Sequence, residues 1–190
     1  DMERGPCAVT ITPTTFLAIS WSHIREFDAA IAGPTSIDGW REEGRWPRLK
    51  TRRAFLPGCA KLGHKVIIAG GSNAETLRST EVLDLDSREI TAGGDMAEPR
   101  RWFHLATIRR GGQEKVFAVG GSDGSTYLKT MEELVEESTT WARADSFLGG
   151  RRGYFGVVAV PGVKEVVVKV VVVTGSKKMF RFVRVLIPYR

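Results

Sequence analysis

Apolar residues along the chain come in short bursts divided by glycine-rich and polar gaps, with no sustained stripe at helical spacing. In the middle of the chain, Phe103–Ile108, Lys115–Val119 and Met131–Val135 are apolar or alternating runs, and Thr139–Ala144 centres on Trp141. Arg109–Gln113, with Gly111-Gly112, divides the first two runs, and Gly149-Gly150 follows the last. β-Branched and aromatic residues fit extended chain, whereas Gly, Ser and Asp fit turns. The pattern predicts four short antiparallel strands.

The same pattern recurs. Ala69-Gly70-Gly71 closes one apolar run, and Val119-Gly120-Gly121 closes another fifty residues later. Arginine pairs precede these units at Arg52-Arg53, Arg100-Arg101 and Arg151-Arg152, each followed by an aromatic at Phe55, Phe103 or Tyr154. Leu77–Leu83 matches Leu128–Leu134, Ile90 matches Trp141, and Met96 matches Phe147, all at an offset of fifty-one. Several landmarks sharing one period mean repeats. A four-stranded sheet cannot bury both of its faces alone, but radial stacking as propeller blades buries them and leaves only short edges.

The expected architecture is therefore all-β, with full blades at 52–99 and 100–150 and incomplete ones on either side. In 1–51, Phe16–Ser20 reads as a second strand, Glu26–Ile31 as a third and Trp40 or Trp46 as part of a fourth, while Ser20-Trp21 stands where a doublet would be. In 151–190 the doublet is reduced to Thr174-Gly175. That makes about four blades in an incomplete or open ring.

These residues resemble the kelch repeat. The likeness rests on the doublets closing the second strand, the Arg-x-x-His lead-in at Arg101–His104, the glutamates of the third strand and Trp141 in the fourth. It covers roughly residues 52–150. It implies structural roles for Gly70, Gly71, Gly120, Gly121 and Trp141, and a packing role for His104. It also implies a partner-binding face where the blade lead-ins gather with the loops after the doublets. Arg53, Arg101, Arg152, Ser72, Asn73, Ser122 and Asp123 are the candidates there, offering forked donors to partner carboxylates. The competing reading of each second arginine is a tie to a neighbouring glutamate, with Glu81, Glu132 and Glu133 as partners. The first arginines (Arg52, Arg100, Arg151) are expected in solvent. Trp102 alternates with Phe103, so one of the two could face outward beside Arg101. Kelch propellers usually close with more blades than this chain holds, so it reads as a fragment, its ring closed by missing blades or by another copy.

Composition narrows the chemistry. The formal net charge of +6 is concentrated in residues 151–190, where nine Lys/Arg face one acid. Solvated strand faces account for that bias more simply than nucleic-acid binding does. The valine-rich run at 157–173 is interrupted by charges and Pro161, which excludes a transmembrane helix. Two cysteines exclude a disulfide-dense scaffold and a Cys-based zinc ribbon. Free buried thiols in a reducing, cytoplasmic setting are expected over a Cys7–Cys59 bridge. Gly70-Gly71 is not a P-loop, since Ser72-Asn73-Ala74 supplies no lysine. The three histidines show no metal-ligand spacing, and no nucleophile elbow occurs. No cofactor or metal is expected.

The function implied is a non-enzymatic protein-interaction module that takes an acidic segment of its partner. The kelch resemblance adds substrate recruitment to a cullin-type ubiquitin ligase, or actin binding. The alternatives are a propeller enzyme (a sugar mutarotase or a galactose-oxidase-like protein) and nucleic-acid binding through the basic C-terminal residues.

Overall fold

The computed structural model describes residues 5–32, 39–110, 112–135, 140–144, 155–158 and 169–172. Among these every helix or strand is a strand. β1 (Cys7–Thr10), β2 (Thr15–Ser20) and β3 (His23–Asp28) form a three-stranded antiparallel meander. Next come β4 (Gly58–Leu62), β5 (Lys65–Ala69), a two-residue hairpin of β6 (Ser72–Asn73) and β7 (Glu75–Thr76), then β8 (Thr80–Asp84) and β9 (Ile90–Ala92). β4, β5, β8 and β9 make a four-stranded antiparallel sheet in that order. β10 (His104–Arg110), β11 (Gln113–Val119), β12 (Met131–Val135) and β13 (Trp141–Arg143) repeat it. β14 (Phe155–Val158) pairs with β15 (Lys169–Val172).

Strand order follows chain order in every sheet, because short loops can only bring neighbours together antiparallel. The first strands stand side by side: β1 against β4, β4 against β10, and β10 against β14. Side-by-side first strands of successive antiparallel sheets are consistent with the packing of propeller blades. Of the fourth unit, only the two short strands lie among the described residues. Arg152 and most of the basic segment lie outside them.

The first sheet departs from expectation in three places. β1 was not foreseen. The third strand runs over His23–Asp28 instead of Glu26–Ile31, because Trp21-Ser22 makes a tight turn that pairs Ser20 with His23. Trp40 forms only an isolated bridge to Phe27, a stub of a fourth strand, and packs edge-on against Phe16 and Phe27.

The core explains why β5 reads as a continuous apolar run. Val66 and Ile68 point one way, into a cluster with Leu17, Ile19 and Trp46. Ile67 and Ala69 point the other way, into a cluster with Phe103, Leu105 and Val116. Alternation thus buries both faces of the middle sheet, one against each neighbour. Trp141 crosses the second interface, its Nε1 donating to Thr80 Oγ1 at 3.1 Å.

Cys7 and Cys59 are joined in a disulfide, with Cα atoms 5.9 Å apart. The expected pair of free thiols is therefore corrected. The physical reason is that β1 and β4 are the adjacent first strands of consecutive sheets.

A candidate protein-binding face

One side of the assembly is where second strands end and first strands begin. β2, β5 and β11 run out into turns there, and the lead-ins at 52–57 and 100–103 return to it. Backbone bridges stitch each lead-in to a turn: Trp21 with Arg53, Ala54 with Ser72, and Arg101 with Ser122. The glycine doublets make this approach possible. Gly121 has φ +94°, and a Cβ there would lie 2.5 Å from Phe103 Cβ and 2.7 Å from the Arg101 carbonyl oxygen. Gly70 is closed in the same way by the Arg100 carbonyl.

Two arginines assigned to solvent or to the partner are wholly buried. Arg53 has no exposed surface. Its Nε donates to Glu81 Oε1 at 3.1 Å, its Nη1 to the carbonyls of Gly70 and Ser79 at 2.9 and 2.8 Å, and its Nη2 to Ser79 Oγ. Arg100 is equally buried. It donates to Glu132 Oε1, to the carbonyls of Gly120 and Thr130, to Thr130 Oγ1 and to Glu98 Oε2. Each glutamate also accepts backbone N–H groups from the segment just before its arginine, Lys50 and Thr51 for Glu81, Ala97 and Glu98 for Glu132. A buried guanidinium is tolerable only with its donors satisfied in this way. Arg53 is therefore a tie inside its sheet and has no surface to offer a partner. Arg100, not Arg101, is its counterpart.

Ser72 and Ser122 are also buried, at 4% and 5% exposure, and their backbones are engaged by Ala54 and Arg101. Asn73 is exposed at the tip of the β6–β7 hairpin. Asp123 is half-buried and caps its own loop, with Oδ1 accepting from the N–H groups of Ser125 and Thr126 at 2.7 Å. Those two N–H donors hold its carboxyl below the ordinary value.

What the face does present is arginine laid over aromatic rings. Trp21 is 38% exposed, and the Arg52 guanidinium lies 5.4 Å from its ring. The Arg101 guanidinium lies 4.3 Å from the Trp102 ring and 5.9 Å from Phe55, which is itself 36% exposed. Phe55 and Trp102 meet edge-on at 6.2 Å. Tyr127, 44% exposed, belongs to the loop after the second doublet and bridges Ser122. Phe103 turns inward to the core, leaving Trp102 beside Arg101.

Trp21, Phe55 and Trp102 share φ between +54° and +56°. Bulky side chains rarely occupy this left-handed region, and each such residue costs about 1–3 kcal/mol. Trp21 donates its N–H to the Arg53 carbonyl just as Gly71 donates to that of Arg100, so it stands in the slot that the next repeat fills with glycine. Among the described residues, neither Arg52 nor Arg101 lies within 4.0 Å of a carboxylate oxygen. Sequence reasoning missed Trp21, Phe55 and Arg52. The available signal was Ser20-Trp21 at the place of the doublet.

No group of three or more His, Cys, Asp or Glu side chains that could hold a metal ion occurs among the described residues. No helix among them is long and apolar enough to cross a membrane.

No model of a known protein family matches the chain. Over 93 residues, 48% of its length, it is 31% identical to the kelch repeat-containing protein kel-10 of Caenorhabditis elegans. The matched stretch spans 16% of that relative's own length. This similarity and the repeated antiparallel sheets together support a kelch-like chain.

Proposed function

We propose that the chain is part of a propeller that binds proteins, and that its partner docks on the face formed by Trp21, Arg52, Phe55, Arg101, Trp102 and Tyr127. The observation that carries this reading is the set of three aromatics held in left-handed backbone, each on the same side. A tryptophan in a glycine slot carries a backbone cost that glycine would avoid, and strain of this kind collects where a surface is shaped for a ligand. Aromatics and arginine are also the residues that dominate binding energy at protein interfaces.

The partner segment is acidic. Among the described residues Arg52 and Arg101 have no carboxylate oxygen within 4.0 Å, and they lie over rings that exclude water beneath them. A carboxylate arriving from above receives a forked donor on an apolar floor.

The test is a display of acidic and neutral peptides probed with the wild-type chain and with Arg52→Glu/Arg101→Glu, alongside thermal melts. The double variant should lose acidic peptides while keeping its melting temperature. Equal capture of acidic and neutral peptides by the wild type would defeat the reading. The identity of a protein captured from cells then decides between recruitment to a cullin-type ubiquitin ligase and actin binding.

A further inference from the structure

Both cysteines of the described residues are committed to one bond, and the strand register fixes where that bond lies. Cys7 opens β1 opposite Ile19, and Cys59 is the second residue of β4, opposite Ile68. Both positions are at the end of the first strands that meets the candidate face. Trp21 follows Ile19 by two residues and exchanges backbone hydrogen bonds with Arg53, at 3.1 and 2.8 Å.

Apart from its packing against β4, little else holds β1. It has four residues, one ladder neighbour in β2, and no ladder to β4. Val9 is its one fully buried side chain, while Ala8 and Thr10 are exposed. The bond is also within reach, because Cys7 is only half-buried. A cavity of about 410 Å³ lined by Ala8, Cys59, Lys61, His104 and Glu114 opens at the same junction. Segments with few buried contacts open first when a constraint is removed.

We propose that Cys7–Cys59 is a redox-operated clasp on β1: a dithiol reductant opens it, frees the strand and loosens the Trp21 corner of the face, while the two four-stranded sheets stay packed. A thiolate of the reductant attacks Cys7 Sγ, forming a mixed disulfide and expelling the Cys59 thiolate, which takes up a proton. The second thiolate of the reductant then attacks its own bridged sulfur and expels Cys7, which is protonated in turn. Two electrons pass from the dithiol to the cystine, leaving two cysteine thiols and a cyclic disulfide. The clasp stands independently of any partner, and only its bearing on binding rests on the proposed function.

The test is hydrogen exchange read by mass spectrometry on the whole chain, oxidised and under native reduction with dithiothreitol, with thiol labelling to confirm two free cysteines. Exchange over residues 7–10, 19–21 and 52–54 should accelerate about tenfold, and that over 115–119 and 131–135 by less than about twofold. Cys7→Ser/Cys59→Ser should reproduce the reduced pattern without reductant. If that variant does not fold, the reduced wild type still supplies the comparison. The clasp is overturned if the bond resists native reduction, if 7–10 exchanges alike in both states, or if 115–119 accelerates as much as 7–10. Peptide capture in both redox states separates the two ideas. Absence of capture in either state removes the binding face and leaves the exchange result to decide the clasp.

Discussion

Arg53 and Arg100 occupy equivalent cages. Each guanidinium is sealed from solvent, paired with the second residue of the third strand in its own sheet (Glu81 or Glu132), and bound to the carbonyl of the first glycine in its own doublet. The sheets are thus held by the same charged tie, at the place where lead-in, second strand and third strand converge.

Removing either cation leaves a buried carboxylate held only by its backbone N–H donors, without a counter-charge. Arg53→Met and Arg100→Met should each destabilise the protein by about 3–5 kcal/mol. Arg101→Met, on the face, should stay within about 0.5 kcal/mol. Urea denaturation of the three variants checks this, and equal losses at Arg100 and Arg101 would contradict the assignment of the tie.

Gly121→Val places a side chain where Phe103 Cβ and the Arg101 carbonyl oxygen already sit, in a backbone conformation that valine resists. The expected cost is about 2–5 kcal/mol from strain and overpacking together. Gly112→Ala is the control. Gly112 also has positive φ, but a Cβ there meets nothing within 4 Å, so only backbone strain of about 1 kcal/mol remains.

Desolvation holds the His104 imidazole below its ordinary value of 6.5. The unfolded chain then binds that proton more readily than the folded one. The stability contributed by the neutral ring is complete above pH 6.5 and is lost as pH falls below it. Melting temperature should decline as pH falls below 6.5, and His104→Gln should flatten that decline. Asp28, Asp84 and Asp123 are each held below 3.8, mainly by backbone N–H donors, so their contributions fade only at lower pH.

Trp21→Gly relaxes a left-handed tryptophan into the residue that its slot takes in the next repeat. Relief of backbone strain and loss of the ring's burial oppose each other, so stability should change by no more than about 1 kcal/mol. Capture of acidic peptides should weaken at least about fivefold through loss of the ring beneath Arg52. A variant that is less stable and binds as well as the wild type would show that Trp21 belongs to the fold and not to the face.

The doublets, the four-strand sheets and the strand Met131–Val135 were legible because glycine at positive φ and β-branched alternation each answer to one physical demand. Glu81 and Glu132 were visible as partners for arginine, but the arginine register was not. The start of β4 lies five positions after Arg53, and the start of β10 four positions after Arg100. A lead-in absorbs that difference, and an Arg-Arg pair accepts either alignment. The disulfide was hidden because neighbouring first strands are neighbours only in space. A separation of 52, close to one repeat, was the clue that both cysteines hold first-strand positions. The left-handed aromatics left no mark except the missing doublet at Ser20-Trp21.

The ties between arginine and glutamate also bear on how the chain is made. Arg53 reaches forward only 28 residues to Glu81, and Arg100 only 32 to Glu132. During synthesis each tie can therefore close as soon as the third strand of its own sheet leaves the ribosome, before the following repeat has emerged. A nascent sheet locked this early limits the time its bare strand edges are available to neighbouring polypeptides on the same message, which is when tandem repeats are most exposed to pairing with the wrong copy.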